Sequence, residues 1–347
     1  MSTRSAPGTA ALRALIARAT LAPSPRNAQP WRWTLHPDHV QLEIDPGLVE
    51  QLASTDPGGR ELVMSCGAAL LTLRVAAAEA LFEAQVDVLP DPHRPHLLAC
   101  VTLTPAAVDA AFSSLDAVVP LRRTAWGAFD GRPLPAGLTG RLRAEALAEG
   151  VILEEVPADR RGPLADLVRH ADHDRCSDAG HRAELLRWIA SRWSEDGRLL
   201  PAASALTRTP AHRDLGDQLG AHEVALLLEA PYAAVLATQG DGAADWLAGG
   251  QGLQRLLLVA AAEGVLGGFL NSPCQVEADR ARLRDLLPDR MYPQAVIRLG
   301  YPLQRPAASA RRPVDEVVTT EGPPEDGASE NGSALDAGVD FTEDTLG

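Results

Sequence analysis

The chain contains no lysine; every fixed positive side-chain charge in its 347 residues is arginine. That excludes Schiff-base chemistry and any lysine acting as acid or base. Aromatic residues make up only 4% of the chain and methionines number three. The four cysteines, Cys66, Cys100, Cys176 and Cys274, are scattered with no CxxC, which argues against a disulfide framework or a zinc ribbon and for reduced thiols. No apolar run reads as a membrane span, and no charged–apolar–small leader pattern opens the sequence, so a cytoplasmic protein with no membrane partner is expected. A GxSxG elbow and a GxGxxG after a strand are both missing, which removes the usual serine hydrolase and the resident Rossmann dinucleotide.

Positive charge is also lacking as a patch. The net charge is -14, but ten acidic residues and no arginine fall between Asp315 and Asp344. The remainder is close to neutral, with no basic face for nucleic acid. From about residue 319 the chain is acidic and rich in Gly, Pro and Ser, the composition of a disordered tail.

What is present begins with an alanine-rich helical pattern over about 10–22, halted by "APSPRNAQPW" at 22–31. Pro23, Pro25 and Pro30 fix φ and remove donors, predicting a rigid extended loop. Asn27 and Gln29 in that loop offer paired amide C=O and NH2 groups, the complement of a heterocycle with adjacent carbonyl and N–H. "WRWTLHPDHVQLEID" then alternates as a hairpin, with Trp31 and Trp33 on its core face. Residues 60–83 read as a helix buried on all sides, and "AQVDVLP" and "HLLACVTLTP" as strands.

A second unit follows: the loop "LRRTAWGAFDGRPL", a helix, the strand "VILEEVP", a polar helical insertion over about 165–220, the strand "APYAAVLAT", an all-round apolar helix through "LAGGQGLQRLLLVAAAEGVLGGFL", and the strand "PQAVIRLGYP". VAAAE recurs at 75–79 and 259–263 in the two apolar helices. Equal element order with that string suggests two related α+β halves, 1–115 and 116–318, followed by the tail 319–347.

"APSPRNAQPW", "LRRTAWGAFD", "AGGQGLQRLLLVAAAEGVLGGFLNSP" and "IRLGYP…RRPVDEVV", taken in this order across residues 10–318, resemble the nitroreductase superfamily of FMN-binding flavoproteins, and more closely its Acg-like branch, in which two such halves are fused. The resemblance implies an α+β fold of two nitroreductase-like halves joined as an intramolecular pseudo-dimer, with the insertion in the second half as a helical lid. It implies FMN between the halves, NAD(P)H as a transient electron donor, and a nitroaromatic, quinone or similar small molecule as acceptor. A monomer or weak homodimer is expected, because the flavin interface lies within one chain. Only the first half has the Asn-Gln-Pro-Trp loop and only the second has Arg-Arg-Thr, so the fusion supplies one complete site and one degenerate site.

Carried over residue by residue, Arg122, Arg123 and Thr124 match the phosphate grip, joined by Arg311 and Arg312. Guanidiniums with a hydroxyl suit a group carrying nearly two negative charges. Ser24, Arg26, Asn27 and Gln29 match the loop facing the flavin from the other half. Leu270, Asn271 and Ser272 match the segment lying beside flavin N5 and O4, where hydrogen bonds favour the reduced ring. Two positions depart from the pattern. Arg26 stands where relatives often have His, and Trp126 where they usually have Arg, leaving one phosphate contact short. Relatives that remove halide or oxidise azolines rely on a lysine beside the flavin, and this chain has none.

The flavin carries the chemistry in this reading, so no side chain is assigned as catalytic. An FMN-binding or sequestering protein with little turnover, its ring covered by the lid, is the alternative. "HADHDRCSDAGH" offers His170, His173, Cys176 and His181 as zinc-type ligands. Spacings of three turn these side chains away from one another on a single helix. The preferred reading is a polar insertion whose next helix buries Leu185, Leu186, Trp188 and Ile189.

Overall fold

A computed structural model describes residues 6–107, 109–190 and 218–321. Most of the second half of the expected lid, 191–217, and nearly all of the expected disordered tail lie outside the described residues. The helices are α1 (Thr9–Ala19), α2 (Pro46–Gln51), α3 (Arg60–Glu79), α4 (Ala110–Ser113), α5 (Leu138–Leu147), α6 (Arg161–Ser177), α7 (Ala179–Ala190), α8 (Gln218–Leu228), α9 (Ala243–Ala262), α10 (Ser272–Gln275) and α11 (Glu277–Asp285). The strands are β1 (Trp31–Leu35), β2 (Val40–Ile44), β3 (Phe82–Val88), β4 (Leu97–Pro105), β5 (Ile152–Glu155), β6 (Tyr232–Thr238), β7 (Leu266–Phe269), β8 (Tyr292–Gly300) and β9 (Val318–Thr320).

The fold is mixed α+β. One sheet runs β3-β4-β2-β1-β9 and the other β5-β6-β8-β7. The expected hairpin is β1–β2, antiparallel, with Trp33 opposite Leu42. Its alternation puts Trp31 and Trp33 fully inside the first core. Strand β9 lies parallel to β1, pairing Trp33 with Val318. The chain therefore leaves the second sheet after β8, crosses the molecule through residues 301–317 and ends in the first sheet, so that the residues at the expected start of the tail are a strand.

Helices α3 and α9, each 20 residues, pack against one another between the sheets. Two glycines permit the close approach. A Cβ on Gly67 would lie 2.1 Å from the carbonyl oxygen of Leu247, and one on Gly250 would lie 1.8 Å from that of Met64. Each glycine thus seats the backbone of the opposite helix, three residues before the other glycine. The helical stretch 57–79 is long and apolar enough to cross a membrane, contrary to the sequence reading, but 94% of its most apolar window is buried inside the protein. It is a core helix, apolar all round because it is covered all round.

Two local expectations are corrected. The apolar run after VAAAE does not continue as helix: Gly264, at φ +73°, ends α9, and "LGGF" is strand β7. A short apolar run has no periodicity that separates the two cases. On α7, Leu185 and Trp188 are buried, but Leu186 is 61% exposed. Trp188 sits in the core of the first sheet, so α7 docks on that sheet's side of the molecule.

Candidate functional site

A cavity of about 960 Å3 opens between the residues that follow α1 and those at the edge of the second sheet. The loop after α1 forms one wall, and it is not extended as the prolines suggested. Pro25–Asn27 is a tight 3-10 turn, with Arg26, Asn27 and Gln29 all left-handed at φ 51°, 56° and 52°. Left-handed backbone is costly for residues with a Cβ and persists only where neighbours enforce it. Here the neighbour is the crossing segment before β9. Asn27 Nδ2 donates to the carbonyl of Ala310 at 2.9 Å, and the backbone N–H of Arg312 donates to Gln29 Oε1 at 2.9 Å. Inside the turn the N–H of Gln29 donates to Ser24 Oγ at 3.0 Å.

The opposite wall is set by the edge of the second sheet. Thr124 bridges to Gly267 in parallel fashion, and Ala125 N–H donates to the Gly267 carbonyl at 2.7 Å. This pairing draws the Arg-Arg-Thr element alongside β7 and the residues that follow it. Gly268 allows the approach, since a Cβ there would lie 2.5 Å from the Ala125 carbonyl oxygen.

Ser24, Arg26, Asn27, Arg122, Arg123, Thr124, Leu270, Asn271, Ser272 and Arg311 line this one cavity, although they come from four stretches of sequence. Gln29 and Arg312 do not. Gln29 is fully buried behind the turn, its amide taken up by Arg312 N–H and the Asn27 carbonyl. The Arg312 side chain points away and pairs with Glu316 at 3.2 Å. Arg311 reaches the wall but is committed. It donates to the carbonyls of Thr20 (2.7 Å), Leu21 (3.1 Å) and Ala22 (3.2 Å) beyond the end of α1, and to Asn27 Oδ1 at 3.1 Å. Leu270 N–H is likewise committed, to the Val296 carbonyl at 3.0 Å, and Asn271 Oδ1 accepts from Val296 N–H.

Arg122 stands apart. It is buried, Nε and one terminal nitrogen have no partner among the described residues, and the other terminal nitrogen makes a 3.4 Å contact with the Leu21 carbonyl. Burial, then the neighbouring charges of Arg311 and Arg123, pull its pKa down to about 9. It is still a cation at neutral pH. Arg311 is drawn down to about 10 by burial and by Arg123, and Arg123 is lowered by burial and by Arg305. Among the described residues, no carboxylate offsets the charge of any of the three. Buried polar groups are normally bonded and buried charges normally paired, so this corner is electrostatically incomplete without an anion. Arg305, on the exposed side of the cavity, is a residue sequence reasoning missed. Its signal was a third arginine in the basic stretch "LQRPAASARR".

The far end of the cavity, beneath α6, α7 and α8, is charged but largely matched. Glu184 on α7 is 2% exposed and accepts from Ser54 N–H at 2.7 Å, Thr55 N–H at 3.3 Å, the Thr55 hydroxyl and Arg26 at 3.4 Å. Burial, then Arg175, lowers Arg26 to about 10. Arg175 bonds the Gln275 side-chain oxygen and lies 3.2 Å from His181 Nε2. Burial, Arg175 and Arg26 push His181 down to about 3, so it is neutral. The zinc-type quartet is not gathered: α6 ends at Ser177, and among the described residues the ligand-like cluster in this region is His170, Asp174 and Asp279. Asp279 is already bonded to His170 and Arg282, which makes that group an ion-pair cluster.

No protein-family model matches the sequence. Individual relatives do. The chain is 31% identical over 306 residues to "Putative NAD(P)H nitroreductase Rv3131" of Mycobacterium tuberculosis, spanning 85% of this chain and 86% of that protein. It is 30% identical over 324 residues to "Putative NAD(P)H nitroreductase acg" of the same organism, spanning 88% and 94%. Among solved structures, the FMN-dependent nitroreductase NfnB from Mycobacterium smegmatis in complex with NADPH aligns with 65% of this chain and 100% of its own, at 18% identity and a TM-score of 0.36. The relatives settle the class: the chain belongs to the NAD(P)H nitroreductase family, alongside the Acg-like proteins.

Proposed function

We propose that the protein is an FMN-dependent NAD(P)H oxidoreductase whose acceptors are quinones, nitroaromatics or similar small molecules. The observation that carries this reading is the buried guanidinium of Arg122, which has no countercharge among the described residues. A phosphate oxygen supplies what that corner lacks. Arg122, Arg123 and Thr124 would hold the phosphate, with Arg305 supplying the cation that the sequence pattern loses at Trp126. Arg311 acts indirectly, tying the end of α1 to the Asn27 turn. Ser24, Arg26 and Asn27 would face the ring from the first unit, and Asn271 and Ser272 from the second. When bound, the flavin supplies the electron transfer; the chain's residues bind it, orient it and limit the access of water.

In the same reading the two units are a fused pseudo-dimer, 1–115 and 116–318, with the swapped end strand and the reciprocal glycine seats of α3 and α9 in support. This cavity suits one flavin per chain, and a monomer or weak homodimer in the cytoplasm is the corresponding state. A sequestering protein with little turnover is the second reading. It is favoured by one observation, the buried Glu184 that fastens α7 over the far end of the cavity.

The test is the absorbance spectrum of the purified protein after incubation with FMN, followed anaerobically by NADPH. A flavin spectrum bleached within seconds supports the oxidoreductase. Bleaching only by dithionite supports sequestration, and no flavin uptake refutes both.

A further inference from the structure

Trp126 has no part in the FMN reading, yet the fold fixes it at the mouth of the cavity. The indole lines the cavity and is still 40% exposed. Among the described residues, no aromatic ring or cation is stacked on it. One side chain pins the backbone on both sides of it. Arg298, buried on β8, donates to the Ala125 carbonyl at 3.0 Å and to the Gly127 carbonyl at 2.9 Å. Gly268 leaves room for this clamp, since a Cβ there would lie 2.8 Å from the Arg298 guanidinium carbon. A side chain on a held backbone loses less freedom when a ligand arrives, so the indole is a preformed flat surface.

That surface is set beside charge. Phe129 bridges antiparallel to Pro302, the Leu303 N–H donates to the Ala128 carbonyl at 3.4 Å, and the Asp130 N–H to the Tyr301 carbonyl at 2.9 Å. Continued to Trp126, this register sets it across from Arg305, on the face that carries Ala128 and the 65% exposed Leu303. Phe129, on the other face, packs inward against Ala125, Ala261 and Leu266. Arg305 lines the cavity, has no ion pair among the described residues, and is close enough to Arg123 for the two charges to oppose one another. Arg122, Arg123, Arg305 and Arg311 thus gather at one end, whereas a flavin phosphate brings at most about two negative charges. With that phosphate in place a positive surplus remains, next to the indole. Resting on the FMN reading above, we propose that Trp126 and Arg305 form a second ligand subsite, which takes a flat aromatic ring carrying an anionic group. The ring stacks on the indole and the anion lies against Arg305. Two reactants have this chemistry: the adenosine phosphate portion of the nicotinamide donor, and an acidic aromatic acceptor such as a sulfonated quinone. Either is held by a part of the molecule that does not itself react, which lowers the concentration needed for saturation without touching the chemical step.

The experiment follows two anaerobic half-reactions of the FMN-loaded full chain by rapid mixing. In one, NADPH reduces the bound flavin; in the other, dithionite-reduced protein is mixed with 1,4-naphthoquinone-2-sulfonate. Trp126→Ala should raise the half-saturating concentration of NADPH, of the sulfonated quinone or of both by about 10-fold, the scale of a lost ring stack. The limiting rates and the affinity for FMN should match wild type. Trp126→Phe, which keeps a flat ring, should stay within about 3-fold of wild type. A shift for NADPH alone assigns the subsite to the donor, a shift for the quinone alone assigns it to the acceptor, and a shift for both means that the two share it. The wild-type constant of the affected ligand should also rise between about 50 and about 500 mM salt, as screening weakens the contact with Arg305. Both constants unmoved in Trp126→Ala overturn the proposal. So does an equal loss in Trp126→Phe and Trp126→Ala, or an affected ligand whose wild-type constant ignores salt. Should Trp126→Ala fail to fold, Trp126→Leu, apolar but not flat, is read in its place. Wild-type protein that takes up no FMN fails the cofactor reading and this inference with it, whereas unmoved constants in flavin-loaded protein fail this inference alone.

Discussion

The two ends of the cavity handle buried charge in opposite ways. At the Arg122 end, Arg122, Arg123 and Arg311 crowd together with Arg305 nearby and, among the described residues, no carboxylate to offset them. At the Glu184 end, Arg26 and Arg175 are interleaved with Glu184, Glu61 and neutral His181. A buried ion pair is weak evidence for stability, but breaking one is expensive, whereas a buried cation with no partner already costs stability before anything is removed. Substitution should therefore act with opposite sign at the two ends. The matched end ties α7 to Arg26 and residues 54–55, and the unmatched end leaves Arg122 without a countercharge among the described residues.

The largest contrast is expected in stability. Glu184→Ala leaves Arg26 and two backbone N–H groups unpaired and should cost about 3 to 5 kcal/mol, read from urea unfolding. An unchanged midpoint would mean that α7 does not dock on residues 54–55 in solution. Next comes Arg122→Met. The flavin-free protein should unfold at the same urea concentration or higher, since an uncompensated charge is gone. FMN binding, followed by quenching of flavin fluorescence, should weaken by about 10 to 100-fold, the scale of a lost charge-assisted bond. Destabilisation of the flavin-free protein with unchanged FMN affinity would reverse the assignment of this end.

A smaller effect separates the ends by pH. The folded protein keeps His181 neutral, whereas the unfolded chain protonates it below about 6.5. The unfolded state then binds more protons, so this contribution to stability falls as pH drops from about 6.5 towards 3. The melting temperature of wild type should drop more steeply between about pH 7 and 5 than that of His181→Gln; parallel slopes would show that His181 is not held by Arg175 and Arg26. Smallest is Arg305→Ala. Exposed charges are screened, so FMN should bind about twofold more weakly, and the difference should vanish at high salt.

Much of this contrast was legible in the sequence, though unevenly. Arg122, Arg123 and Thr124 were readable as a basic element, and the structure brings them beside Leu270–Ser272 through the Thr124–Gly267 bridge. The "SPRN" loop was readable as a wall but not in shape. Prolines signal that a helix stops, not that Arg26, Asn27 and Gln29 will turn left-handed, because that conformation is imposed by residues 310–312, some 280 positions away. The same long-range clasp is why Gln29 and Arg312 matched a pattern yet face away from the cavity. The far end was least legible. Glu61, Asp172, Arg175, His181 and Glu223 belong to α3, α6, α7 and α8, and nothing in the spacing of such residues announces that the fold will seal them together. Core signals were the most robust: the alternation of Trp31 and Trp33 and the all-round apolarity of 60–79 follow from burial alone.

The central claim is that the unpaired Arg122 corner exists for a phosphate, and one comparison tests it most directly: the affinities of the wild-type protein for FMN and for riboflavin, which differ only in that group. The account predicts tighter binding of FMN by at least about 10-fold, an advantage that largely disappears in Arg122→Met. Equal affinity for the two flavins, or an FMN preference untouched by Arg122→Met, would contradict it.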